Sequence, residues 1–190
     1  MRYEHIWFVL ADSALPTGGF VASSGLEAAV TLGKLFEEGK TVVVKERVID
    51  FFKLSIASYA QTNVPYVHAV YDAGSFDELL CHDEFLEAHM TNEMTRRASL
   101  AQGISYLTLA TKSFADEIKD EESYAWIKEL KAMVRQRQQA GHLTTCFALL
   151  TRSLGMKQGD AFVHDPLKSI SSLFLKRTRL SSMSTCLRAQ

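Results

Sequence analysis

Thr41-Val-Val-Val-Lys-Glu-Arg-Val-Ile-Asp-Phe-Phe-Lys-Leu-Ser-Ile-Ala-Ser-Tyr-Ala60 places Val44, Val48, Phe51, Phe52, Ser55, Ile56 and Tyr59 at steps of three and four. Such steps gather side chains on one side of a helix and scatter them over both faces of a strand. The same period continues toward the C-terminus. Pro65 suits the first turn of a next helix running toward Tyr71, where its missing N–H is not needed, and Asp72-Ala-Gly-Ser75 ends that helix. A further helix is expected from about Phe76 to His89, with Leu79, Leu80, Phe85 and Leu86 inward. Another, from about Asn92 to Phe114, carries Met94, Ala98, Ala101, Ile104, Leu107 and Thr111 on one stripe, and its length makes it the expected centre. An acidic surface loop between Ser113 and Glu122 precedes Tyr124, Ile127, Leu130 and Val134. Gly141 interrupts, and Leu143, Phe147, Leu150 and Leu154 then run to Gly155 as a C-cap. Strand-like alternation is scarce, so the expectation is an all-α, single-domain bundle of about seven or eight helices.

At 190 residues, 47% hydrophobic and 23% charged, the chain is large enough to bury roughly 70% of its unfolded surface in one core. Its apolar runs are too short for a membrane span, and Glu4 and His5 interrupt what a signal peptide would keep apolar, so a cytoplasmic protein with no membrane partner is expected. Cys81, Cys146 and Cys186 are odd in number and widely spaced, which suits reduced thiols better than disulfides or a zinc site. With 21 basic against 22 acidic residues, nucleic-acid binding is not expected. The charge is uneven, however. Lys168, Lys176, Arg177, Arg179 and Arg188 meet no acidic residue in 166–190, leaving 16 basic against 22 acidic, a formal −6, in residues 1–165.

One loop is more particular than helix packing requires. In Leu10-Ala-Asp-Ser-Ala-Leu-Pro-Thr-Gly-Gly-Phe20, followed by Ser23-Ser-Gly-Leu-Glu27, an apolar helix (Ile6 to Leu10) meets Pro16 and two glycines, and Ser23 and Ser24 then open a second helix at Leu26. Pro and Gly-Gly serve as a connector in many helical proteins; bare backbone at Gly18 and Gly19 also lets a partner surface approach closely. A phosphate loop is excluded, because the spacing is wrong and a helix, not a strand, precedes it. Gly33-Lys-Leu-Phe-Glu-Glu-Gly39-Lys40-Thr41 likewise has one residue too many between its glycines, and Glu37 and Glu38 stand where phosphate would lie.

The 10–27 segment resembles the N-terminal signature of the urease accessory UreF family. Glu93-Met-Thr-Arg-Arg-Ala-Ser-Leu-Ala-Gln-Gly103 is similar to a second pattern of that family, in which a basic stretch leads into Ala-Ser and then Gln-Gly. The resemblance implies an all-helical homodimer that joins a UreD-type protein (UreH in some organisms) and the GTPase UreG on apo-urease, and couples GTP hydrolysis to nickel delivery. On that model the partner-binding residues are Asp12, Pro16, Gly18, Gly19, Phe20, Ser24, Gly25 and Glu27, with Ser99, Gln102 and Gly103 in the second motif. Residues 1–165 form the UreF-like domain. The basic tail 166–190 departs from the family pattern, as a truncated or alternatively spliced product would.

Close packing inside the monomer is the competing account of Ala98, Ser99, Ala101 and Gly103, since small residues let helices approach. His82 and His89 share a helix face but stand two turns, roughly 10 Å, apart, too far for one metal ion. No metal site is expected and no cofactor. His142, after Gly141, is a packing or channel-lining candidate. Neither a Gly-x-Ser-x-Gly elbow nor His-Glu-x-x-His occurs, and Asp12 or Ser13 beside His5 reads as a helix cap rather than a triad, so no catalytic residue is assigned. A generic helical adaptor unrelated to urease is the alternative; a small all-α hydrolase or lyase would require a buried polar cluster that the sequence does not display.

Overall fold

The computed structural model describes Leu10 and residues 26–36 and 44–158. Among these the protein is all-α, with no strand of two or more residues: α1 Leu26–Thr31, α2 Lys45–Asp72, α3 Phe76–His89, α4 Glu93–Lys112, a 3-10 turn Ala115–Glu117, α5 Glu121–Arg135 and α6 Leu143–Ser153. Among the described residues six α-helices stand where seven or eight were expected for the chain, the expected Ile6–Leu10 helix being described only at Leu10. One merger explains part of the difference, because Pro65 lies inside α2 rather than at the start of a new helix. The Asn63 amide donates to the Tyr59 carbonyl at 2.9 Å and the Thr62 hydroxyl to that of Ser58 at 3.1 Å, so side chains add bonds to the turns before the proline.

Caps set the boundaries. Ser75 accepts from the Glu78 N–H at 3.2 Å, while the Glu78 carboxylate accepts from Gly74 N–H at 2.9 Å, which fixes the α2–α3 corner. Asn92 opens α4 and Asp120 opens α5 in the same manner. Gly155 (φ 73°) closes α6. At the end of α5, Arg137 N–H donates to Val134 and Gln138 N–H to Met133. That is a Schellman closure whose left-handed position holds Arg137 (φ 58°) instead of glycine.

The short helix α6, not the long α4, is the centre of the bundle: eight of its residues are buried, and it packs against α2, α3, α4 and α5. Leu149, Leu150 and Leu154 meet Leu79, Leu107, Ile127 and Leu130, all without appreciable exposure, and Leu10 joins the same cluster. Arg152 ties three elements together. It donates to the Val70 and Ala73 carbonyls at 3.1 and 2.9 Å, closing the end of α2, and its guanidinium lies 4.8 Å from the Trp126 ring centroid.

The inward stripe expected on α4 is rotated. Met94 and Ile104 are 69% and 50% exposed, and the face toward the core is Ser99, Gly103, Tyr106, Leu107 and Ala110. Ser99 and Gly103 turn inward because the 141–143 backbone meets α4 there, too close at Gly103 for any side chain. Phe85, also expected inward, is 59% exposed, while Asp83 of the same helix is fully buried. The 113–122 segment is a connector as expected, except that Phe114 sinks into the core. The N-terminal motif residues 12–25, the 166–190 tail and Cys186 lie outside the described residues.

Candidate functional site

Asp83 lies on the α3 stripe between Leu79 and Leu86, and the helical period carries its carboxylate into the interior with them. There Oδ2 accepts from the Gly141 N–H at 2.7 Å and from Gln139 Nε2 at 3.2 Å, and Oδ1 accepts from the His142 N–H at 2.9 Å. Three donors on one carboxylate compensate its removal from water and fasten the α5–α6 turn to α3.

One helical turn later stands Glu87. The fully buried His142 ring spans the space between it and α4: Nε2 is 2.7 Å from Glu87 Oε2 and Nδ1 is 3.1 Å from Ser99 Oγ. Ser99 Oγ accepts from the Leu143 N–H at 3.1 Å, leaving its own proton for Nδ1. The network is therefore satisfied with the imidazole proton on Nε2, donated to Glu87. Glu87 Oε1 takes Arg96, whose Nε and other terminal nitrogen hold Glu93 at 3.0 and 2.7 Å. Partial burial pushes the Glu87 carboxyl up, but the hydrogen bonds from Arg96 and His142, with the Arg96 charge, outweigh it and hold the group below its ordinary value.

Gly103 completes the arrangement. A Cβ built there would fall 2.0 Å from the Gly141 carbonyl oxygen and 3.0 Å from the Gly141 and His142 carbonyl carbons. Glycine is needed because α4 crosses the 141–142 backbone in contact with it. Gly141 itself has φ 71°, a left-handed turn that aims its N–H at Asp83.

A hydroxyl, an imidazole and a carboxylate in series invite comparison with a hydrolytic triad. The geometry does not serve that chemistry. Ser99 and His142 are buried, Ser99 Oγ is already an acceptor, and the neighbouring Gly141 and His142 amides are taken by Asp83. The cluster is built to lock α3, α4 and the start of α6 together.

Of the residues expected to bind partners, Ser99 and Gly103 have the 141–143 turn of their own chain as neighbour, Gln102 is half-buried at the edge of that contact, and Glu27 is exposed on α1. Asp12, Pro16, Gly18, Gly19, Phe20, Ser24 and Gly25 fall outside the described residues. Asp83 and Glu87 escaped the sequence reading, although an acidic residue on a leucine stripe marks a buried, compensated carboxylate. Among the described residues no group of three or more His, Cys, Asp or Glu could hold a metal ion. His82 faces Glu78 at 4.0 Å and His89 Nδ1 meets the Tyr66 hydroxyl at 2.9 Å. Cys81 is exposed; burial, helped by the charge of Asp83, pushes the Cys146 thiol well up. No described helix is long and apolar enough to cross a membrane.

The family model UreF matches residues 42–183, three-quarters of the sequence, including the whole latch formed by Asp83, Glu87, Ser99, Gly103, Gly141 and His142 and much of the basic tail. The chain belongs to the UreF family. Among curated proteins it is similar to Urease accessory protein 6 of Cryptococcus neoformans var. grubii, 27% identical over 80% of this chain and 63% of that one. It is also similar to Urease accessory protein UreF of Kocuria rhizophila (25%, covering 86% and 64%) and to Urease accessory protein F of Oryza sativa subsp. indica (33%, covering 61% and 42%). The chain thus spans under two-thirds of the length of each of these relatives. No solved structure matches it.

Proposed function

We propose that this protein is a urease accessory protein, a nickel-insertion chaperone rather than an enzyme. It acts in the cytoplasm as a homodimer, assembles with a UreD/UreH-type protein and a UreG-type GTPase on apo-urease, and couples GTP hydrolysis to nickel delivery. The observation that carries this reading is the family match over residues 42–183, together with relatives named as urease accessory proteins. The latch supports it from the chemical side, because among the described residues the buried polar cluster that resembles catalytic machinery directs its hydrogen bonds to the fold.

Coupling requires that docking favour one nucleotide or metal state of the GTPase over another. The 12–27 motif is the proposed partner contact, with Gln102 at the edge of the second. The test is co-purification: tagged protein retains the UreD-type protein and the UreG-type GTPase, and Gly18→Val weakens that retention with helix content unchanged. Equal loss of helicity in Gly18→Val would assign the glycine to the fold alone, and failure to retain either partner would overturn the reading.

A further inference from the structure

The antiparallel pair α4–α5 carries basic residues along one side. Its register is set by two contacts: Gly103 against Gly141 at one end, and Lys131 Nζ hydrogen-bonded to Thr111 Oγ1 at the other. Lys131 is half-buried, and Arg135, one turn on, is exposed, as is Lys112 at the end of α4. Arg137 follows in the exposed α5–α6 turn.

None of these four cations belongs to an ion pair among the described residues. Burial, then Arg135 and Lys112 in that order, push the Lys131 ammonium down, as expected when cations face one another without a counter-charge. Between the two register contacts, on the same side of α4 as Thr111, Ile104 is 50% exposed. Arg137 occupies the left-handed position of a Schellman closure, where glycine would suffer no strain. The base of that turn is pinned by Asp83. A rigid, strained presentation of a cation is a feature the fold alone does not require.

We propose that the basic side of the α4–α5 pair is a docking surface for an acidic, amphipathic segment of a partner protein, its carboxylates paired with Lys112, Lys131, Arg135 and Arg137 and an apolar side chain set on Ile104. Residues 1–165 carry a formal −6, so a long polyanion such as nucleic acid meets repulsion beyond the patch, whereas a short acidic segment meets the patch alone.

The probe is a fluorescent 16-residue peptide with Glu and Leu at helical spacing, followed by anisotropy against the full chain, with inorganic phosphate and a short DNA duplex as competitors. The expected result is saturable binding that weakens at least tenfold in Lys131→Glu/Arg135→Glu and in high salt, and that neither competitor displaces. Lys53→Glu, at an exposed position of α2, leaves it unchanged. Arg137→Gly separates binding from folding, since it raises the unfolding midpoint while lowering peptide affinity. The proposal is overturned if the peptide does not bind, if the double variant binds as wild type with its fold intact, or if phosphate or DNA displaces the peptide. The peptide measurement involves no urease component, so its outcome is independent of the proposed function.

Discussion

Replacing Gly103 by alanine separates a glycine that helps a helix bend to a partner from one required by the monomer. On an exposed helix surface the change would stabilise the protein by about 1 kcal/mol, the propensity difference between the two residues. Here the new methyl carbon would stand 2.0 Å from the Gly141 carbonyl oxygen, against ordinary contact near 3.4 Å. The obstacle is backbone on both sides, so α4 and the 141–142 segment must part by more than about 1 Å in a close-packed interior.

Overpacking of this kind costs about 1–3 kcal/mol. Displacing Gly141 and His142 also stretches the bonds of 2.7 and 2.9 Å that their amides donate to Asp83, at about 1–3 kcal/mol for each buried group left unpaired. Set against the propensity gain, the net expectation is a loss of about 2 kcal/mol if the amides keep Asp83 in part and up to about 8 kcal/mol if both lose it, a fall in Tm of at least roughly 4 °C for a chain of this size. Circular dichroism at 222 nm during heating, and urea unfolding, measure it. Unchanged or raised stability in Gly103→Ala would refute the close crossing and with it the described geometry of the latch.

Asp83→Ala removes the acceptor of three N–H groups and should destabilise by about 3–5 kcal/mol, or prevent folding at 37 °C; Asp83→Asn, which keeps one carbonyl acceptor, should lose less, as urea midpoints will show. Glu87 is held below its ordinary value of 4.5, so its contribution is present above that pH and is lost as pH falls through the lower folded value; Glu87→Gln should flatten the acid limb of stability measured between about pH 3 and 6. Arg137→Gly should stabilise by about 1 kcal/mol, because the left-handed position is strained for any other residue, and thermal melts check it.

Much of the fold was readable along the chain because its signals are local. Ser75 and Asn92 lie beside the helices they cap, and the starts of α3 and α4 fall within a residue or so of the positions their sequences imply. Pro65 misled, since a proline at the first turn and one tolerated within a long helix look alike when only neighbouring residues are read. The α4 stripe misled for another reason. Hydrophobic periodicity assumes that the buried face is the apolar one, whereas the α4–α6 approach is decided by backbone distance, which puts Ser99 and Gly103 inside and Met94 and Ile104 outside. The latch was not legible as a unit, because Asp83 and Glu87 lie more than fifty residues from Gly141 and His142 and nothing local announces their pairing. Only isolated members stand out in the sequence: Ser99 and Gly103 in a family motif, and His142 after a glycine.

The most direct test of the account is urease in cells lacking this gene, with urease protein and urease activity measured side by side and nickel added to the medium. The account predicts that the enzyme is made in normal amount, is inactive, and recovers part of its activity with excess nickel. Normal activity in the deletion strain, without added nickel, would contradict it.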